Sequence, residues 1–213
     1  MRLLYINPNA TVSMTDGIVA AARAACPGTE ITGVTNTEGP PSIEGAEDGE
    51  RAVPGVLARV AEAQTDAIVI ACFDDTGLAQ AQAVARVPVL GIGQASYLMA
   101  AMLGKRFGVV TSVQAAVPVI EGNIGASGFA GLCSGVRASG LAVLDIDEGT
   151  EAVRAHLAAE ILRARDGGAE AVVLGCAGMA PLRSDLAART GVPLIDGVAA
   201  SAHLALAAAG YLG

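Results

Sequence analysis

The chain has 213 residues, a length that suits one large domain or two small lobes. Its formal net charge of −8 leaves no basic face, so neither nucleic acid nor an anionic membrane is expected as a partner. Apolar residues make up 53% and aromatics 3%, with no Trp, which gives an aliphatic core and excludes the aromatic platforms that stack bases or sugars.

The segment Met1–Ile6 reads directly as a strand with no signal peptide before it, which points to a cytoplasmic protein with reduced thiols. From there short apolar runs alternate with longer amphipathic or Ala-rich stretches. Strands are expected at Leu3–Ile6, Glu30–Thr35, Ala67–Ala71, Val89–Gly91, Phe107–Thr111, Leu141–Asp145, Ala171–Gly175 and Leu194–Ile195. Helices are expected at Thr11–Ala25, Gly45–Gln64, Gly77–Ala85, Ala95–Leu103, Val113–Gly125, Glu148–Arg165, Pro181–Arg189 and Val198–Ala209. This is the βαβ rhythm of a parallel sheet covered on both faces. The long uncharged run from Val87 to Gly104 is broken by Pro88, Gly91, Gly93 and Gln94, so it is read as buried core and not as a membrane span.

The chain also repeats itself. Leu57–Cys72 lines up without gaps on Ile161–Cys176, and Leu4-Tyr5-Ile6-Asn7 falls on Gly108-Val109-Val110-Thr111 at the same offset. The expected fold is therefore α/β, with two similar lobes related by pseudo-two-fold symmetry. Each lobe is a mainly parallel sheet flanked by helices, and the site lies between them. The first lobe is taken as 1–96 with 197–213 and the second as 97–196.

Four cysteines occur, and none forms a C-x-x-C pair. With only two histidines, His156 and His203, a metal site is not expected. Cys26 and Cys133 are read as packing residues. Cys72 and Cys176 hold matched places, each at the end of an apolar run and before a turn into a helix. Open α/β sheets bind ligands at such strand ends. Backbone N–H groups and a helix dipole there are expected to favour thiolate, and Thr76 and Pro181 are expected to start the two helices. Two such sulfurs facing one cleft can move a proton off one face of a carbon acid and onto the other, inverting it. No organic cofactor is expected: there is no Walker A loop, and Gly91-Ile92-Gly93 lacks the rest of a dinucleotide fingerprint.

Five motifs in order resemble the hydantoin racemase family of the aspartate/glutamate racemase superfamily. They are Asn7-Pro8-Asn9-Ala10-Thr11 with Met14-Thr15, Gly39-Pro40-Pro41-Ser42-Ile43-Glu44, Ala71-Cys72-Phe73-Asp74-Asp75-Thr76-Gly77-Leu78, Gly175-Cys176-Ala177-Gly178-Met179 and Ile195-Asp196-Gly197-Val198. The resemblance implies a cofactor-independent racemase of 5-substituted hydantoins, with Cys72 and Cys176 as its acid/base pair. Close relatives act on allantoin. Phe73-Asp74 and Ala177-Gly178 after the two cysteines look like this branch and unlike the amino-acid racemases. Thr76 stands where the family often has Pro. The substrate-contacting residues expected on this reading are Asn9, Ser42, Phe73, Asp74, Asp75, Thr76, Thr111, Ser112, Ala177 and Gly178.

Structural roles stay open beside these. Asn7 and Asn9 also suit an Asx-type turn, Thr111 and Ser112 suit helix capping, and Ser42-Ile43-Glu44 suits either a cleft-closing loop or a helix start. An allantoin racemase, an aspartate/glutamate-type amino-acid racemase, other reactions on the same scaffold such as a decarboxylase or isomerase, and a non-catalytic two-lobed binding protein also remain open. The Ala- and Leu-rich terminal helix and the low charge suggest a homo-oligomer.

Overall fold

The computed structural model describes residues 1–212. In chain order the first half contains β1 (Arg2–Asn7), α1 (Val12–Ala25), β2 (Glu30–Thr35), α2 (Ala46–Glu62), β3 (Ala67–Ile70), α3 (Leu78–Val84), β4 (Val89–Gly91) and α4 (Ile92–Met102). The second half contains β5 (Phe107–Thr111), α5 (Val117–Ala126), β6 (Cys133–Ala138), α6 (Val143–Glu148), α7 (Glu151–Asp166), β7 (Ala171–Gly175), α8 (Arg183–Thr190), β8 (Leu194–Asp196) and α9 (Gly197–Leu212). Two four-stranded sheets result, ordered β2-β1-β3-β4 and β6-β5-β7-β8. Every strand pairing is parallel. No helix among the described residues is long and apolar enough to cross a membrane.

The strands alternate between two buried faces. In β1, Leu3 and Tyr5 enter a core shared with the second half, and Ile6 enters a separate cluster with Val56, Val60 and Ile68. In β7, Val173 joins the shared core, whereas Val172 and Leu174 pack with Leu157 and Ile161. A strand buried on both faces has to read as an unbroken apolar run, which is why these segments stand out in the sequence. The shared core includes Phe107 and Val109 from β5 and Val198, Ala202 and Ala205 from α9, so the two sheets are held around one apolar layer.

Helices α4 and α9 pack against each other at that layer. Their N-terminal ends approach so closely that a Cβ on Gly197 would lie 2.4 Å from the Ile92 carbonyl oxygen. The Tyr5 hydroxyl ties β1 to α9 through the Val198 carbonyl and the Ser201 hydroxyl, both at 3.1 Å.

One expected strand is misplaced. Leu141–Asp145 contains no strand; Val143–Glu148 is a short helix, and the sixth strand is Cys133–Ala138 in the Gly-rich stretch before it. This is an edge strand, half exposed along its length, so it carries Ser134, Gly135 and Arg137 in place of an apolar run. The internal repeat contains the missing signal: β2 shifted by the Cys72-to-Cys176 offset lands on 134–139. The helix starts also differ. Gly77 and not Thr76 caps α3, and Pro181 lies in a 3-10 segment, Ala177–Leu182, ahead of α8.

Candidate active site

In each sheet the chain reverses direction of winding at the central pair of strands, β1 with β3 and β5 with β7. The C-terminal ends at such switch points leave a crevice open to ligand. Asn9 follows β1, Cys72 follows β3, Thr111 and Ser112 close β5, and Cys176 follows β7. All five line one cleft, together with Met14, Ile43, Ala71, Phe73, Asp74, Val143, Gly175 and Ala177. Both cysteines therefore line the same cavity from equivalent places in the two sheets.

The polar groups around it divide by duty. Asn7 holds the first loop: its Oδ1 accepts from the Asn9 N–H at 3.1 Å, and its Nδ2 donates to Asn9 Oδ1 and Thr15 Oγ1. That is an Asx turn, and Asn7 does not line the cleft. Asn9 Oδ1 also accepts from the Thr11 N–H, while its Nδ2 points to the Met14 sulfur at 3.3 Å. Thr111 spends its hydroxyl proton on the Gly175 carbonyl at 2.8 Å, pinning the end of β5 to the end of β7. Among the described residues Ser112 makes no side-chain hydrogen bond.

Four of the expected contact residues lie outside the cleft wall. Ser42 is half-buried beside it, and Ile43 takes the lining position. Asp75 turns away at φ 50° and accepts the N–H groups of Gly93 and Gln94 at 2.9 and 2.7 Å, capping α4. Thr76 is buried behind Cys72, and Gly178 packs against α6 near Asp147. Sequence reasoning missed Met14, Ile43, Ala71, Val143 and Gly175 as wall residues. Ile43 adjoins a quoted motif position, but Val143 lies in the segment misread as a strand. His156 Nε2 donates to the Ser139 carbonyl, and His203 Nδ1 sits 3.4 Å from the Cys26 sulfur, both away from the cleft.

The expected bias towards thiolate is reversed. Burial pushes the Cys72 thiol well above its ordinary range, and the Asp74 charge adds to the shift. The Thr76 hydroxyl and the Asp74 N–H counter only part of it. Burial likewise pushes Cys176 up to about 12, against a hydrogen bond from the Gly178 N–H and with Asp74, Asp147 and Glu44 adding negative charge. The helices that follow are a seven-residue α-helix and a 3-10 segment, so their dipoles are weak beside the cost of burying a thiolate. Asp74 itself is pushed up to about 7 by burial. Among the described residues no Lys, Arg or His lines the cleft.

The chain matches the Asp/Glu/hydantoin racemase family over residues 3–205. It belongs to that family. A hydantoin racemase from Rhizobium meliloti is 42% identical over 218 aligned positions, covering 99% of this chain and 90% of that one. A hydantoin racemase from Pseudomonas sp. (strain NS671) is 39% identical, covering 96% of this chain and 84% of that one. The crystal structure of an allantoin racemase from Pseudomonas fluorescens superposes with a TM-score of 0.92 at 38% identity, covering 97% of this chain and 90% of that one. The protein is thus a racemase of the Asp/Glu/hydantoin family, an isomerase with that family's two-lobed α/β fold.

Proposed function

We propose that this racemase inverts C5 of 5-substituted hydantoins without a cofactor, using Cys72 and Cys176 as the two proton-transfer groups. The observation that carries the reading is the placement of both sulfurs on one small cleft at matched strand ends. One sulfur, as thiolate, takes the C5 proton; the ring carbonyl beside C5 delocalises the electron pair; the other sulfur, as thiol, protonates the opposite face. The roles exchange with the hand of the substrate. Each transfer is balanced, since the proton lost to one sulfur is replaced from the other.

The charge of the cleft supports a neutral ring over a free amino acid. An α-carboxylate needs a cationic or N–H-rich partner, and among the described residues the only charged side chain on this wall is Asp74. On this reading Asn9 and Ser112 face the ring's polar edge, Phe73 and Ala177 bound it, and Met14, Ile43 and Val143 meet the C5 substituent. Thr111 lines the cleft while pinning β5 to β7, and Asp75, Thr76, Ser42 and Gly178 support these groups from outside its wall. A second reading, allantoin racemisation, shares the same reacting atom, because allantoin is a hydantoin carrying a ureido group at C5. It is favoured by the likeness to allantoin racemase structures at 38% identity.

The lobes are taken as 1–96 with 197–213 and as 97–196, supported by the packing of α9 against β1 and β3. A homo-oligomer is part of the same reading, supported by Met102 and Leu103, which are 70% and 57% exposed at the end of α4; sedimentation as a monomer at working concentration would contradict it. The deciding assay is chiral chromatography on benzyl-, isobutyl- and methylthioethyl-hydantoin, allantoin, aspartate and glutamate. Interconversion of the hydantoins and not of the amino acids is the expected result, and turnover of the amino acids alone overturns the reading.

A further inference from the structure

Three titratable side chains border the cleft: Cys72, Cys176 and Asp74. The third has no structural work of its own. Among the described residues the Asp74 carboxylate takes part in no hydrogen bond, and its Oδ2 is shut off from solvent without a partner. A buried carboxylate oxygen left bare is costly unless it serves something. The backbone around it is held firmly. The Asp74 carbonyl accepts the Asn123 side-chain amide at 2.8 Å, and its N–H is directed to the Cys72 sulfur. The next residue, Asp75, is fully committed to the N-terminus of α4. The two adjacent carboxylates therefore have separate fates: one caps a helix, and the other is held against the cleft.

Two-base chemistry needs one thiolate and one thiol together. Burial opposes that state, since both thiols are pushed up. Among the described residues the cleft has no cationic side chain to stabilise a thiolate. A proton leaving either sulfur needs an acceptor of its own, and among those residues Asp74 is the one candidate on the wall.

We infer that Asp74 is the positioning residue that sets the ionisation of the cysteine pair, by accepting the proton whose departure turns one thiol into the working thiolate. The inference rests on the two-cysteine reading above. Its balance is a count of two protons over three sites. With both protons on sulfur, Asp74 is a carboxylate and the pair is idle. When one S–H bond breaks and an O–H bond forms on Asp74, the trio keeps its single negative charge, which now lies on sulfur. That thiolate takes the C5 proton and the opposite thiol gives its own, so the trio emerges with the thiolate on the other sulfur and Asp74 still protonated. The reverse reaction can begin from there. Protonation also removes the Asp74 charge that disfavours both thiolates. Burial moves the Asp74 carboxyl up to about 7, nearer the thiols than its ordinary value but still below them, so the form with thiolate and protonated Asp74 is a minority state of the trio. The other charged groups near the trio are Asp75 beside Asp74, with Glu44 and Asp147 on the far side of Cys176.

The test is the rate of thiol alkylation by iodoacetamide against pH, followed at Cys72 and Cys176 by peptide mass. In the unaltered protein the logarithm of the rate should rise to about pH 7 and then flatten, because above that point the two-proton population no longer changes. In Asp74→Asn the rise should continue without a break, and kcat should fall by roughly 30-fold or more with KM changed by less than about 3-fold. A break-free profile at both cysteines of the unaltered protein overturns the inference, whether or not the variant folds. So does an Asp74→Asn enzyme that keeps both its kcat and the break. Failure of the two-cysteine reading looks different: Cys72→Ser or Cys176→Ser then keeps full racemisation, whatever the alkylation profile shows.

Discussion

Glu44 Oε1 accepts the backbone N–H of Val143 at 2.8 Å, a bond that joins the two halves of the chain at the cleft. Its neighbour Ile43 and its partner Val143 both line the cavity. A second tie, Ser13 Oγ to Asp147 Oδ2 at 2.8 Å, lands on the same short helix, α6. The residue before α6 is Ala142, which has no side chain to cap it, so Glu44 supplies the missing acceptor from the other lobe. Glu44→Ala should therefore loosen α6. We expect a loss of about 1 kcal/mol in stability, faster amide exchange over 143–148, and a KM raised several-fold with a smaller change in kcat. Hydrogen-exchange mass spectrometry on the variant checks this; unchanged protection of α6 would count against it.

Cys72→Ser and Cys176→Ser should each lower racemisation by ~10³-fold or more while the far-UV spectrum stays unchanged. Serine fills nearly the same space, but its hydroxyl holds its proton far too tightly to act as base. The informative readout is exchange in heavy water. Each variant should still exchange C5 hydrogen for one enantiomer only, and the two variants should choose opposite hands. Exchange of both hands by a single variant would show that one sulfur serves both faces.

The parts of this fold that were legible in the sequence are those where chemistry and periodicity agree. The buried strands β1, β3, β5 and β7 read as apolar runs because both of their faces are covered. The matched positions of Cys72 and Cys176 were legible through the repeat. The edge strand β6 is not legible, because exposure on its outer side removes the apolar signal, and the start of α6 reads as a strand instead. Asp75 illustrates a different limit. Nothing local separates it from Asp74. Only the return of β4 into α4, which brings Gly93 and Gln94 to it, decides which carboxylate caps a helix and which faces the cleft. The thiol ionisation is not legible for a related reason: helix starts are visible in a sequence, whereas the burial that outweighs them belongs to the packed structure.

The pH dependence of stability should carry the mark of those two carboxyls. Asp74 and Asp75 are both pushed up to about 7 by burial. Between the unfolded value near 4 and that folded value, the native state holds protons that the unfolded chain has released. Their contribution is complete below about pH 4 and is lost as pH rises towards 7. Stability should accordingly fall between pH 5 and 8 by an amount on the order of 1–4 kcal/mol per group. Asp74→Asn keeps the shape, removes the titration, and should flatten that fall, leaving the variant more stable than the parent at pH 8 although less active. Urea titrations of both proteins at pH 5 and pH 8 test it. A parallel shift of both midpoints would mean that Asp74 is not the group responsible.

Gly175 is the last residue of β7, directly before Cys176. A Cβ there would lie 2.8 Å from the Val110 carbonyl oxygen and from Val109 Cγ1, and 3.0 Å from Thr111 Cβ. Two of these atoms belong to backbone or to a Cβ, which cannot swing aside. Gly175→Ala should therefore force β7 away from β5, stretch the Thr111-to-Gly175 bond and carry the Cys176 sulfur with it. The expected loss is about 1–3 kcal/mol in stability. A displacement of even ~1 Å at the reacting group should reduce kcat by ~10²-fold. Gly122 in α5 is the control. A Cβ there meets nothing within 4 Å, so Gly122→Ala should raise stability by about 0.5–1 kcal/mol and leave turnover unchanged. Thermal melts and kcat on the two variants separate a steric effect at the strand end from a general intolerance of added methyl groups, because only the former predicts opposite signs.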